Sequence, residues 1–202
     1  MTQTITGLFD QYDDARRAVQ DLEAAGIAHR DISIVGHDKR AAVTDRDAGE
    51  AASEDAGIGA GLGAAVGGVG GLLAGLGLLA IPGIGPVVAA GWLAATAVGA
   101  AGGAAIGAAA GGLVGVLTHA GVPERDANVY AEGVRRGGTL VIAKVDESHG
   151  QIARNILSDD RSVDVVDRRN TYEADGWKQF DEASPVYSDS DMAAERGRRT
   201  RI

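Results

Sequence analysis

Apolar and polar positions alternate, cluster and then vanish into one unbroken apolar run as the chain is followed from its start. Thr4 to Phe9 is β-branched and apolar, a strand pattern. Ala15, Ala18, Val19, Leu22 and Ala25 then recur at helical spacing and give one buried face. Asp10 stands where an N-cap belongs, Asp13 and Asp14 fall in the first turn near the positive end of the helix dipole, and Gly26 supplies the stop. Asp31 to His37, with Ile32, Ile34 and Val35, reads as a second strand. Residues 1–37 are therefore predicted to form a βαβ half-domain, and the charged, alanine-rich residues 38–56 a linker or a loosely held helix.

The pattern resumes at residue 123. Pro123 suits the first position of a helix, where its missing N–H is not needed. Ala127, Tyr130 and Val134 give that helix its apolar face, and Arg135-Arg136-Gly137-Gly138 puts basic residues and a glycine stop at its end. Thr139 to Val145 is a strand, Gln151 to Leu157 an amphipathic helix, and Ser162 to Asp167 alternates as a last strand. Residues 123–169 thus supply a second half, and neither half has enough apolar surface to stand alone. The expected fold class is α+β: a ferredoxin-like, four-stranded sheet from two βαβ halves, with helices on one face. Residues 170–202 are polar and without period, and a disordered tail is expected there. In that tail Trp177, Phe180 and Tyr187 are placed to dock on the domain, and the arginine-rich end reads either as a contact to anionic lipid or as a solvated tail.

Between the halves lies the block 57–122, with no Asp, Glu, Lys or Arg from Ala56 to Pro123. Three readings compete for it. A dinucleotide loop needs a preceding strand and an acid about 20 residues on, which Gly59-Gly61-Ala64 and Gly75-Gly77-Ala80 lack. A flexible linker is serine-rich, whereas Leu, Ile, Val and Ala fill this block. The glycines also have order. Gly59, Gly63, Gly67, Gly71 and Gly75 fall every fourth residue. After Pro82-Gly83-Ile84-Gly85-Pro86 a second series runs Gly91, Ala95, Gly99, Gly103, Gly107, Gly111 and Gly115. Residues four apart share a helix face, so each series is a stripe that lets another helix approach closely.

This predicts a glycine-zipper helical hairpin, its arms being Ile58–Ala80 and Val87–Thr118. A bilayer span needs about 20 residues, and lipid makes glycine-rich segments helical by leaving no other partner for the backbone. Trp92 and His119 then sit at interfacial positions. The expected partners are the lipid bilayer and other copies of the chain through the hairpin. The expected location is the cytoplasmic membrane with both termini cytoplasmic, since the start has neither a basic nor an apolar signal region. The alternative is a soluble oligomer zipped by the same glycines.

Composition narrows the chemistry. A net charge of -9 argues against nucleic acid as partner. The absence of cysteine excludes disulfides and thiolate sites. His29, His37, His119 and His149 have no ligand spacing on one element and read as solvated surface, so no metal is expected. Ser148 beside His149 lacks a nucleophile elbow. No cofactor and no catalysis are expected. A small-molecule sensor using the cleft between the halves rests on fold analogy alone.

The stretches TITGLFDQYDDARRAVQDLEAAGI and VYAEGVRRGGTLVIAKV resemble the general stress protein 17M-like, or YflT-like, family of heat-induced stress domains. The similarity lies in the helix bearing Tyr130, Glu132 and Gly133 and in Gly137-Gly138 opening a strand. It implies a non-enzymatic, stress-associated bacterial protein and brings no catalytic residues. Together with the hairpin, the expected function is a stress-associated membrane protein that inserts and self-associates.

Overall fold

The structure, a computed structural model, describes residues 2–37, 78–81, 83–92 and 112–199. Its elements in chain order are β1 (Gln3–Phe9), α1 (Tyr12–Ala24), a 3-10 turn (His29–Asp31), β2 (Ile32–Gly36), β3 (Leu78–Ile81), β4 (Gly85–Ala90), α2 (Gly112–His119), α3 (Glu124–Arg135), β5 (Thr139–Val145), α4 (Gly150–Leu157), α5 (Val165–Ala174) and α6 (Asp189–Arg199). This is a mixed α+β architecture, as expected, and its sheet runs β1-β5-β2-β4-β3 with every neighbouring pair antiparallel. β5 lies between β1 and β2, which are therefore parallel: a split βαβ unit in which the second half of the chain inserts its strand into the first.

β5 explains why helices cover both faces rather than the single face expected. Its sequence TLVIAKV is an apolar run, and all of its residues but Lys144 are buried. Leu140 and Ile142 point to one face, where Leu8, Val35, Val87 and Ala89 meet α2 and α3 through Leu117, Ala127, Tyr130, Ala131 and Val134. Val141, Ala143 and Val145 point to the other, where Phe9 and Ile32 meet Ala15, Ala18 and Leu22 of α1 and Ala153 and Leu157 of α4.

Four further expectations are corrected. The fourth strand is not Ser162–Asp167. There Ser162 makes one bridge to Phe9, the Val163 N–H donates to the Leu8 carbonyl at 2.8 Å, and α5 begins. Asp164 is the reason, because its carboxylate accepts from the N–H groups of Val166 and Asp167 at 2.8 and 3.0 Å and caps a helix where alternation suggested a strand. The remaining strands come instead from the glycine block. β3 and β4 pair as a hairpin with Ile81 opposite Gly85, closed by the Ile84 N–H donating to the Ile81 carbonyl at 3.1 Å. Gly83 and Gly85 adopt positive φ there, and Val87 and Val88 are β-branched, so the segment read as a turn between helices is a turn between strands.

The tail is also ordered among the described residues. Residue 170 lies inside α5, Phe180 is buried in the core, and α6 follows. Isolated anchors and ion pairs hold this part of the chain, and neither produces a hydrophobic period. Asp10, finally, is not the cap of α1. Gln11 occupies that position without a side-chain cap bond, because Asp10 is engaged elsewhere. Gly26 at φ 90 and Gly137 at φ 91 do end α1 and α3 as expected.

Candidate functional site

The motif on α3 builds an ionic knot. Glu132, 1% exposed, accepts on one carboxylate oxygen from Arg135 Nη1 at 3.0 Å and on the other from Arg136 Nε at 2.6 Å. Arg136 also donates from Nη1 to Glu195 of α6 at 3.3 Å and stacks over the Tyr172 ring of α5, 4.2 Å from its centre. Glu195 is held in turn by Arg198. Burial lowers the Arg136 pKa, but the Glu132 carboxylate more than reverses this, so the guanidinium stays charged. Arg135 lies over the Tyr187 ring at 5.0 Å and donates to the Pro185 carbonyl at 3.3 Å. The two arginines that the sequence assigns to the dipole end of α3 thus tie α3 to Tyr172, Pro185, Tyr187 and Glu195 of the C-terminal segment.

The glycines of the same motif serve close approach. A Cβ on Gly133 would lie 2.5 Å from Leu8 Cδ2, and one on Gly138 would lie 2.8 Å from the Gly133 carbonyl oxygen. The helix and the sheet therefore pack backbone against side chain at this corner.

Beside the knot, at the shared C-terminal end of the parallel strands β1 and β2, lies a cleft of about 330 Å³. Gln11, Tyr12 and Asp13 at the start of α1 form one wall, His37 beyond β2 the floor, and Met192 and Arg196 of α6 the cover. His37 is not the solvated surface residue expected: its Nε2 is buried without a hydrogen-bond partner among the described residues. Burial depresses its pKa against the raising effect of nearby backbone carbonyls at Pro86 and Val134 and of Asp189. His29 remains exposed and pairs with Glu23 at 2.6 Å. Nothing in the sequence places His37 beside α6, because His37 and Asp189, the first residue of α6, are 152 positions apart and meet only through the fold.

Ser148 and His149 do come together with an acid. Asp146 accepts from Ser148 Oγ at 2.6 Å, from His149 Nδ1 at 2.8 Å and from the His149 N–H at 3.0 Å. These bonds hold the Asp146 carboxyl well below the usual range. The serine proton points at the carboxylate and the histidine nitrogen nearest Ser148 is the one occupied by Asp146, so the arrangement shapes the turn before α4 and does not activate a nucleophile. Among the described residues no three His, Asp or Glu side chains form a metal-binding group.

Most of the expected zipper glycines, Gly59, Gly63, Gly67, Gly71, Gly75, Gly99, Gly103, Gly107 and Gly111, lie outside the described residues. Gly91 is described and is not on a helix stripe. It has φ 86, and a Cβ there would collide with the Ile32 carbonyl. Gly115 lies in α2, whose Leu113 and Leu117 belong to the domain core. Trp92, read as interfacial, has the Lys144 ammonium 3.5 Å from its ring centre. Among the described residues no helix is long and apolar enough to cross a membrane.

Residues 4–79 match the heat induced stress protein YflT domain, the family that the opening segment resembles. The match spans β1, α1 and β2 and ends within β3, while the α3–β5 stretch lies beyond it. It supports a stress-associated role. Neither a curated protein nor a solved structure matches the chain.

Proposed function

We propose that the chain is a non-enzymatic, stress-associated protein whose α+β domain holds the glycine block so that blocks of different copies associate. The observation that carries this reading is the β3–β4 hairpin, formed from the middle of the block and paired to β2 in the same sheet as β1 and β5. Residues 38–77 therefore join β2 to β3, and residues 93–111 join β4 to α2. Each of these connections begins and ends on one body, so a membrane crossing by either would have to be even in number. The first contains an unbroken run of 22 uncharged residues, 56–77, and the second is the 19 residues 93–111. Each is enough for about one span and not for two.

Side-by-side association satisfies the same residues without that conflict. Gly59 to Gly75 and Gly99 to Gly111 retain their spacing of four, and a stripe without side chains needs a facing backbone to gain its contacts. Both halves of the domain share one side of any membrane, because β5 lies between β1 and β2. We place that side, with both termini, in the cytoplasm.

Two measurements on the full chain test the reading. Sedimentation of the purified protein should give a species larger than a monomer. Carbonate treatment of cell membranes should release all of the protein. A monomer at micromolar concentration sinks self-association, and carbonate-resistant retention sinks the topological argument in favour of insertion.

A further inference from the structure

The two edges of the sheet are finished differently. Along β1, Ser162 bridges to Phe9, the Val163 N–H donates to the Leu8 carbonyl, and an added Cβ on Gly7 would lie 2.6 Å from the Leu157 carbonyl oxygen, so the chain after α4 lies against that edge. β3 is the last strand at the other end. Among the described residues no hydrogen bond reaches it except from β4 and the turn that joins them.

Alternation fixes which backbone groups that second edge offers. Pro86 has no N–H, and its carbonyl faces His37 on the β2 side of β4. The Ala80–Pro86 pair is therefore of the non-hydrogen-bonded kind, and Leu79–Val87 and Ile81–Gly85 exchange the bonds between the two strands. The N–H and C=O groups of Leu78 and Ala80 then point away from β4, off the edge of the sheet. Such a row is a template for another strand, and folded proteins blunt it with lysine, an inward charge, a proline or a bulge. β3 carries none of these: its sequence is LLAI, its register with β4 is unbroken, and no Asp, Glu, Lys or Arg occurs between Ala56 and Val122. The rim beside it is apolar too, for Val186 lies against Gly85 and is 48% exposed.

An edge whose donors and acceptors alternate in this way is complementary to itself when reversed. With Leu79 opposite Leu79 of a second copy, Leu78 faces Ala80 of that copy, Ala80 faces its Leu78, and each of these pairs exchanges both of its bonds. We propose that β3 pairs antiparallel with β3 of a second copy about a two-fold axis at Leu79, so that two five-stranded sheets run on as one. The pairing rests on the reading that copies of the chain associate, and it puts one contact between them on the domain itself rather than on the glycine stripes. A ladder this short binds weakly by itself, and association along the block raises the local concentration of the second edge.

The chain has no cysteine, so a single introduced one reports the register. Across a non-hydrogen-bonded antiparallel pair the Cα atoms lie about 4.5 Å apart, within disulfide reach. Leu79→Cys in the full chain should therefore give a disulfide dimer under mild oxidation, and Val166→Cys, exposed on α5, should stay monomeric on a non-reducing denaturing gel. Adding Ala80→Pro to Leu79→Cys removes an outward N–H without breaking a bond to β4, and should cut the dimer yield about tenfold. Hydrogen exchange of the wild type needs no substitution. The Leu78 and Ala80 amides should gain protection as the protein is concentrated from monomer to oligomer, while the Leu79 amide, bonded to Val87, should be protected at every dilution. A Leu79→Cys chain that sediments as an oligomer but forms no disulfide overturns the edge pairing and leaves association through the block standing, whereas a chain that sediments as a monomer overturns both. Protection of Leu78 and Ala80 that does not change with concentration would show that the chain's own residues cover the edge, and overturns the pairing alone.

Discussion

Arg168 grips Asp10 with two parallel hydrogen bonds, from Nη1 to one carboxylate oxygen at 2.9 Å and from Nη2 to the other at 2.7 Å. The pair joins α5 to the β1–α1 corner across 158 positions of sequence. It takes Asp10 away from the capping role that its position suggests. Bidentate geometry needs a planar guanidinium, so Arg168→Ala should lower stability by about 1–3 kcal/mol, and Arg168→Lys should recover less than half of that loss. Urea unfolding of the three proteins measures both numbers.

Glu132 pairs with two arginines at once, the buried Arg136 and the half-buried Arg135. Glu132→Gln keeps the shape and removes the charge, leaving Arg135 and Arg136 facing a neutral amide. The expected loss is about 3 kcal/mol, with a clear fall in Tm by calorimetry. An unchanged melting temperature would show that solvent and Glu195, rather than Glu132, balance the two cations.

Gly133 is fixed by Leu8, not by its own backbone angles. In an open helix Gly→Ala gains about 1 kcal/mol, but here the new methyl meets three atoms of a buried leucine. Gly133→Ala should therefore be net destabilising by about 1 kcal/mol. A double-mutant cycle with Leu8→Ala should show favourable coupling, because the smaller side chain makes room for the methyl.

Asp146 gives a pH signature. Hydrogen bonds from Ser148 and His149 depress its folded pKa, so its contribution is complete above the ordinary carboxylate value of about 4 and fades as pH falls through the lowered one. Thermal melts of wild type and Asp146→Ala should differ at pH 5–7, and the gap should narrow as pH falls from 4 toward 2. A gap that stays constant from pH 6 down to pH 2 would mean that the mutation acts through something other than this carboxylate.

The glycine spacing is open to direct test. Gly67→Leu and Gly103→Leu place a side chain on the proposed contact stripe, and Val69→Leu adds bulk beside it. Chemical crosslinking of the full chain should lose its dimer and higher bands in the first two and keep them in the third. Equal bands in all three would make the spacing incidental.

Local pattern alone determined the elements whose residues repeat at a regular spacing. β1, α1, β2, α3, β5 and α4 were all legible, and so were the glycine stops at Gly26 and Gly137, because burial on one face and positive φ after a helix leave marks within a few residues of each other. The likeness to the YflT domain, too, was readable from the opening segment. What the tertiary structure decided is whatever depends on partners far apart in the chain. Whether Ser162–Asp167 extends as a strand or turns into α5 rests on Asp164 capping α5 beside β1. Whether Val87–Ala90 is helix or strand rests on the free edge of β2, since valine, alanine and glycine in an apolar run suit either state until a neighbouring strand offers its hydrogen bonds. The order of the tail rests on Met192, Glu195 and Phe180, single anchors with no period. The cleft exists only where the start of α1, the end of β2 and α6 converge, so no short stretch of sequence records it.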